Sequence, residues 1–409
     1  MKQILYLSYT GMTDPLGQSQ VLAYLKGLSQ TEEYRFTIIS FEKAEAYSRL
    51  HTTIETFCNE AGIKWYPLSY TSRPPVVSTF RDVRRMKKLA FALHKKEKFS
   101  LVHCRSYIAS LAGLDLKRKT GIPFLFDMRG FWADERIDGG IWKKSNPVFK
   151  FIYDYFKKKE KHFLLEANHV VSLTQNARDE IQRWRLGSAD LSITVIPCCA
   201  DMELFDPLKI KQEQQEELRS QLNIPANVPV ISYIGSLGTW YMLEEMLALV
   251  KVFQEKEPAA IFMVLTGEPE QMVLDAALVA GLNLANLRIK KVSRNQMPLY
   301  ISLSNCSVFF IKPAYSKKAS SPVKQGELMA MGIPIICNNQ VGDTEEIVEK
   351  YGAGVVVKEF STPAYAAAIE AFSRRSFDKQ QITGGAKDFF SLERGVQLYR
   401  QVYKTIENG

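Results

Sequence analysis

Short, continuously apolar runs recur along the chain, and the segments between them carry apolar residues three and four positions apart. In the first half the runs fall at residues 1–9, 35–41, 64–68, 101–104, 124–127, 170–173 and 194–197. The intervening segments predict helices over 18–29, 44–62, 80–98 and 147–167. The first of these carries Val21, Leu22, Leu25 and Leu28 at helical spacing. A polar, charged segment from Lys209 to Gln221 then separates the halves. The pattern resumes with runs at 230–234, 261–265, 287–291, 308–311, 333–337 and 355–357, a helix over 241–255, and a last helix near 393–407. Unbroken apolar runs alternating with helices are the pattern of parallel βαβ units. The expectation is an α/β protein of two doubly wound, Rossmann-like domains, 1–205 and 206–390. Residues 391–409 form a C-terminal helix able to cross back to the first domain. Ligands of such sheets sit beyond the carboxyl ends of the strands, so loops 10–17, 105–107, 128–136, 235–240 and 312–322 are the places to look.

Composition narrows the class. The 409 residues suffice for two ordinary domains, and 46% hydrophobic with 24% charged residues is a soluble globular balance. No run approaches the roughly 18 to 20 apolar residues of a membrane span. The amino terminus, Met1 to Leu7, reads as a buried strand too short for a secretory signal. Cys58, Cys104, Cys198, Cys199, Cys306 and Cys337 form no Cys-x-x-Cys pair and no metal-like cluster with the five histidines. They read as free thiols of a reducing, cytoplasmic compartment. A net charge of +9 invites an anionic partner. With no zinc finger, RNP-like aromatic motif or basic zipper in view, a membrane surface ranks above nucleic acid. Two basic stretches suit that partner. Arg81, Arg84, Arg85, Lys87, Lys88, Lys95, Lys96 and Lys98 lie on one helix, and Lys157, Lys158, Lys159 and Lys161 follow Phe151, Ile152, Tyr155 and Phe156. A solvated helix face is the alternative.

The stretch from Ser320 to Cys337 carries the most chemistry. Ser321 is an N-cap signal, Pro322 suits the first helical position, and Gly332 ends the helix ahead of the apolar run 333–337. A loop entering a helix offers unpaired N–H groups to an anion such as a diphosphate. Lys324 and Glu327, three residues apart, share a face. The acid could accept two hydroxyl hydrogen bonds of the kind a ribose offers. A capped surface helix with an incidental charge pair remains the plainer reading.

With these residues in view, the chain resembles the retaining glycosyltransferases of family 4, two-domain GT-B proteins. Val195-Ile-Pro-Cys-Cys-Ala-Asp-Met-Glu-Leu-Phe-Asp-Pro207 is similar to the family's boundary signature I-P-N-G-x-D-x-x-x-F. Tyr233-Ile-Gly-Ser-Leu237 resembles the first strand-loop of its nucleotide domain, and Ser321 to Pro334 its donor helix. Gly342 to Val348, followed by Tyr351-Gly-Ala-Gly354, resembles the segment closing the donor pocket. Leu16-Gly-Gln-Ser-Gln20 has the placement of its glycine-containing first loop. The resemblance implies two domains facing a cleft, a nucleoside diphosphate sugar held by the second domain and an acceptor by the first. It also implies no cofactor and no metal, since helix ends and fixed charges hold the leaving diphosphate. Retention would follow from front-face attack, with the leaving phosphate helping to deprotonate the acceptor. The implied acceptor is a glycan or a polyprenyl-linked sugar in cell-surface polysaccharide synthesis, reached from the inner face of a membrane.

Residue by residue, Glu327 matches the second glutamate of the family's Glu-x7-Glu motif, while the first falls at Ala319. The arginine and lysine that many relatives place after Gly235 are here Ser236 and Tyr241. Replacement cations are sought in Lys312, Lys317, Lys318, Lys324, Arg105 and Arg129. The expected catalytic set is Lys324, Glu327, Arg105 and Arg129. Donor contacts fall to Gly17, Gln18, Gly235, Ser236, Val292, Lys312, Ser320, Ser321, Lys324 and Glu327. Acceptor contacts fall to Arg129, Trp132, Asp134 and Glu135, for which an internal salt-bridge network is the competing reading. Trp132 and Trp240 could stack on rings, and His103 reads as a strand-end histidine. A nucleotide-sugar 2-epimerase and a non-catalytic nucleotide-sugar-binding scaffold are the alternative functions.

Overall fold

The computed structural model describes residues 1–74 and 76–408. It divides into two compact units, Met1–Pro197 with the helix Leu392–Asn408, and Cys198–Ser391. Both are parallel sheets flanked by helices.

In the first unit, β1 (Lys2–Ser8), β2 (Tyr34–Glu42), β3 (Lys64–Ser69), β4 (Leu101–Arg105), β5 (Phe124–Asp127), β6 (His169–Ser172) and β7 (Ile193–Val195) form a seven-stranded sheet in the order β3-β2-β1-β4-β5-β6-β7. β1, β4 and β5 are buried along most or all of their length, because helices cover both faces. The strand order reverses between β1 and β4, which makes their carboxyl ends the expected ligand position of this unit. There the backbone N–H groups of Met12 and Thr13 donate to the Glu42 carboxylate at 2.8 and 3.0 Å, and Thr13 Oγ1 donates to it at 2.6 Å. A charge at the end of β2 thus fixes the loop after β1. Gly17 is buried against that loop. A Cβ there would stand 2.0 Å from the Gly11 carbonyl oxygen, so only glycine lets the helix start so close.

The last helix packs on this first unit. Gly27 lets it approach, since a Cβ there would meet Val396 at 2.7 Å. Tyr24 and Tyr399 meet edge to face, with centroids 5.5 Å apart. Arg400 grips both carboxylate oxygens of Glu33 at 2.7 and 2.6 Å.

In the second unit, β8 (Val230–Ile234), β9 (Ile261–Leu265), β10 (Leu287–Lys290), β11 (Cys306–Phe309), β12 (Ile335–Asn338) and β13 (Gly354–Val357) take the order β10-β9-β8-β11-β12-β13. The reversal lies between β8 and β11. β11 stops two residues earlier than its apolar run predicts. Phe310 and Ile311 leave the sheet to meet the loop after β8: Met242 N–H donates to the Phe310 carbonyl at 3.0 Å, and Tyr241 bridges Ile311 antiparallel. The Asn338 side chain then takes up both backbone groups of Ile311, at 2.8 and 2.9 Å.

Two sequence expectations need correction. The polar segment from Lys209 to Gln221 is no separator. Most of it is the helix Gln212–Gln221, which seats Leu218 in the second core. The division falls at Pro197 instead of residue 205, because Ala200 N–H donates to the Phe390 carbonyl at 2.8 Å and Phe205 is buried in the second core. A helix missing from the pattern, Ser106–Thr120, is apolar on nearly every side, which hides its period.

Candidate functional site

The second unit gathers its chemistry at the switch between β8 and β11. The helix Val323–Ala330 begins one residue later than its cap signals imply, with Pro322 at the capping position. The Ser321 hydroxyl is drawn off to accept the Cys198 N–H at 3.1 Å, which ties the start of the unit to this helix. Lys324 in the first turn is only 7% exposed. Its Nζ lies 3.6 Å from the centroid of Tyr241 and 4.3 Å from that of Tyr233, and donates to Tyr233 Oη at 3.1 Å. The ammonium therefore rests on aromatic faces instead of a carboxylate. Gly235 makes room for it. Its φ of +119° suits glycine alone, and a Cβ there would stand 3.0 Å from Lys324 Nζ. Tyr233 in turn donates to the Ser236 carbonyl, leaving the Ser236 side chain exposed.

Burial drives the Lys324 pKa well below the lysine range, and the nearby Glu327 charge offsets only part of this. Burial also raises the Glu327 carboxyl, against the opposing charge of Arg294, whose Nη1 lies 2.8 Å from Glu327 Oε1. Arg294 follows β10 and stacks over Phe205 at 5.3 Å. Next to Tyr241, Trp240 carries a second buried lysine, with Lys317 Nζ 3.6 Å from its ring centroid. Lys312 is exposed and joins the site only through its backbone, donating to the Trp240 carbonyl at 2.8 Å. Val292 is half-buried in the loop after β10, while Ser320 and Ser321 lead into the lysine-bearing helix. Among the described residues no group of His, Cys, Asp and Glu is arranged to hold a metal ion.

In the first unit Arg105 ends β4 and Arg129 follows β5, both beside the buried Asp127. His103 is a strand-end histidine whose Nδ1 meets Tyr403 Oη at 2.8 Å, and burial lowers its pKa. Gln18 reaches back to the Thr13 carbonyl at 3.3 Å. Of the expected acceptor residues, Asp134 is engaged internally, accepting Tyr153 Oη and Lys157 Nζ at 2.8 Å each. Lys157 also pairs with Glu160, which accepts the Tyr107 hydroxyl. Trp132 packs among Tyr107, Trp142 and Phe156, with Arg136 over its ring. Glu135 shares the short helix Trp132–Asp138 with both. The structure thus brings Lys324, Glu327, Gly235 and Ser236 together in the second unit and Arg105 with Arg129 in the first.

Residues 17–204 match the family model described as Glycosyltransferase Family 4, and residues 214–387 match Glycosyl transferases group 1. The chain belongs to the family 4 glycosyltransferases. A curated relative, D-inositol 3-phosphate glycosyltransferase of Nocardiopsis dassonvillei, is 20% identical over 287 residues, which are 68% of this chain. The match spans 63% of that relative, less than two thirds of its length. Among solved structures, sucrose-phosphate synthase from Thermosynechococcus elongatus superposes with a TM-score of 0.73 at 17% identity, covering 99% of this chain and 100% of that one. Anabaena HepE in complex with UDP-glucose gives 0.67 at 14% identity, with both chains fully covered. These likenesses confirm the GT-B fold.

As a family 4 member the chain has Ser236 and Tyr241 where many relatives carry an arginine and a lysine. The tyrosine that stands where a lysine is usual provides the ring on which Lys324 sits. Arg294, Tyr233 and Asn338 were not singled out from sequence. Arg294 lies two residues beyond Val292 in the loop after β10, and its charge beside that strand end was the available signal. Tyr233 and Asn338 look like ordinary strand residues.

Lys324→Met tests whether this ammonium is a strained, buried charge. A lysine whose folded pKa is depressed penalises folding fully below that pKa, and the penalty fades as pH rises toward about 10.4. The variant is expected to be more stable than wild type by about 1–2 kcal/mol at pH 7. Denaturant titrations at pH 7 and 10 should show the gain shrinking at the higher pH. A less stable variant at pH 7, or a gain independent of pH, contradicts the assignment.

Proposed function

We propose that this family 4 protein is a retaining glycosyltransferase that takes a sugar from a nucleoside diphosphate donor and acts without a metal. The observation that carries this reading is the group formed by Lys324, Glu327 and Arg294 at the β8–β11 switch. A helix start with a buried ammonium suits a diphosphate, whose charge would draw a proton onto Lys324. Glu327, held by Arg294, is placed to accept the ribose hydroxyls. Anabaena HepE, with the same fold, was solved with UDP-glucose, which supports a nucleotide sugar without fixing the base. In the proposed reaction the acceptor hydroxyl attacks the anomeric carbon on the face from which the diphosphate leaves. The bond from carbon to phosphate oxygen breaks, the acceptor proton passes to the departing phosphate, and the products are the glycoside and a nucleoside diphosphate. Positive charge near the leaving group stabilises that departure without a metal ion.

The proposed acceptor is a glycan or polyprenyl-linked sugar of cell-surface polysaccharide synthesis, met at the inner face of a membrane. No helix among the described residues is long and apolar enough to cross one. Support comes from exposed apolar side chains in the first unit. Phe151 is 73% and Phe80 51% exposed, and Val148 and Val77 are also exposed. Val148, Phe151 and Tyr155 follow one helical stripe, and Phe80 meets the Tyr155 ring at 6.2 Å, so two helices join in a single patch. Arg81, Arg84, Lys88, Lys158 and Lys161 are exposed on the same two helices. Each cation near an anionic surface contributes about 1 kcal/mol, and buried aromatic area adds to it. Lys87 and Lys157 are less available, being paired with Asp115 and with Asp134 and Glu160.

Calorimetric titration of UDP, GDP and ADP without divalent metal tests the donor site. One nucleotide should bind at micromolar Kd, and Glu327→Gln should weaken it at least tenfold. That loss should largely vanish against the 2′-deoxy nucleotide, because the partner hydroxyl is gone from both sides of the comparison. Absence of binding by all three nucleotides would sink the assignment. Product that forms only when an acceptor is present separates transferase from 2-epimerase.

For the membrane face, sedimentation with vesicles of 30% anionic lipid should lose at least tenfold affinity in Phe80→Ser/Phe151→Ser. Unchanged sedimentation of the double variant contradicts that face.

A further inference from the structure

An acid that accepts hydroxyl hydrogen bonds works best when ionised, and burial opposes ionisation at Glu327. Its side chain is only 9% exposed, and the like charge of Asp201 disfavours the anion further. One cation reaches it directly. Arg294 Nη1 donates to Glu327 Oε1 at 2.8 Å, while Oε2 accepts no hydrogen bond from the described residues. Lys324, one turn earlier on the same helix, is directed elsewhere, donating to Tyr233 Oη and resting on the ring of Tyr241.

Arg294 is fixed at both ends. Its backbone lies in the turn after β10, where the Gln296 and Met297 N–H groups donate to the Ser293 carbonyl at 3.1 Å and Ser293 Oγ donates to Gln296 Oε1 at 2.8 Å. This turn leads into the short helix Met297–Ile301, whose Ile301 is fully buried. The guanidinium rests on the Phe205 ring, 5.3 Å from its centroid, and Phe205 belongs to the second core. Phe205 N–H donates to the Asp201 carbonyl at 2.9 Å, and the Asp201 carboxylate accepts the Glu203 and Leu204 N–H groups at 3.0 Å each. One turn therefore supplies both the platform under the arginine and the acid it must outweigh. The charges facing Glu327 are Arg294 from the loop after β10, Lys324 from its own helix and Asp201 from the turn 201–205. Of the two cations the arginine stands at hydrogen-bonding distance, and its pull on the carboxyl exceeds that of Lys324.

We propose that Arg294 is a positioning residue of the donor site: seated on Phe205, it holds the Glu327 carboxylate charged and turned so that Oε2 stays open to ribose hydroxyls. A neutral carboxyl carries an O–H where the anion has an acceptor, and offers a hydroxyl the weaker partner. Arginine suits the task because it stays charged at any ordinary pH and its plane stacks on a ring. Burial holds the Glu327 carboxyl above the ordinary glutamate range even with the arginine in place. Removing Arg294 raises it further, so the variant loses the carboxylate at low pH and regains it as pH rises. This deepens the donor reading and rests on it for the ribose.

The test is calorimetric titration of UDP, GDP and ADP, without divalent metal, into wild type and Arg294→Met at pH 6, 7 and 8.5. For the nucleotide that binds wild type, Arg294→Met is expected to bind about tenfold more weakly at pH 6, with the ratio to wild type shrinking as pH rises. Arg294→Lys keeps the charge and should recover most of the affinity at pH 6. In a Glu327→Gln background, Arg294→Met should add no pH-dependent loss, because the group it governs is gone. Should Arg294→Met not fold, Arg294→Gln removes the charge while keeping a donor and carries the same comparison. Equal affinity of wild type and Arg294→Met at every pH overturns the proposal and leaves the donor reading standing. A loss of the same size at every pH also overturns it, because the guanidinium would then touch the nucleotide itself or only support the fold. Absence of binding by all three nucleotides in wild type removes the donor reading and the proposal together.

Discussion

An ammonium group buried on two tyrosine rings is a poor way to stabilise a protein. Cation–π contact offsets desolvation only in part, and the nearest acid, Glu327, is committed to Arg294. Several features of the second unit follow from accommodating Lys324. Gly235 adopts a conformation that leaves space for the side chain, Tyr241 is pulled into register against Ile311, and the Asn338 side chain seals the strand end that this arrangement opens. A site that holds a cation in this state favours whatever brings negative charge to it. The family's usual arginine and lysine are absent at Ser236 and Tyr241, yet the switch point retains its positive character. The buried cation there, Lys324, belongs to the helix Val323–Ala330 and not to the loop after β8.

The first unit shows the same principle in another form. Its carboxyl-end loops are fixed by buried acids, Glu42 under the loop after β1 and Asp127 under the loops after β4 and β5. Glu42 is fully used by its partners. Asp127 is not: it accepts Tyr399 Oη at 3.1 Å, while its Oδ1 has no hydrogen-bond partner. Side chains that looked equally suited to substrate, such as Asp134 and Trp132, are instead consumed by Lys157, Tyr153 and an aromatic cluster. Polar density on a loop does not separate a site from a brace. The state of the hydrogen bonds does.

Much of the fold was legible because buried parallel strands leave unbroken apolar runs, as at Ile261–Leu265 and Val230–Ile234. The helix Ser106–Thr120 escaped because it is buried on most sides and shows no clear period. The segment Gln212–Gln221 looked like a linker because one buried leucine among charges is a weak signal. Within the site, Lys324 and Glu327 could be named from their spacing, since a turn of helix is a local relation. Arg294, Tyr233 and Asn338 could not. Their roles depend on contacts between residues 27 to 91 positions apart, which only the strand order brings together.

The proposed role of Lys324 is to meet the diphosphate. Its most direct test is proton uptake on nucleotide binding, from calorimetry in buffers of differing ionisation enthalpy. A buried lysine with a depressed pKa should gain a proton as the diphosphate arrives. Nucleotide binding should therefore be accompanied by proton uptake that is absent from Lys324→Met. Binding whose heat is independent of the buffer at every pH, or uptake that persists in the variant, would place the diphosphate elsewhere.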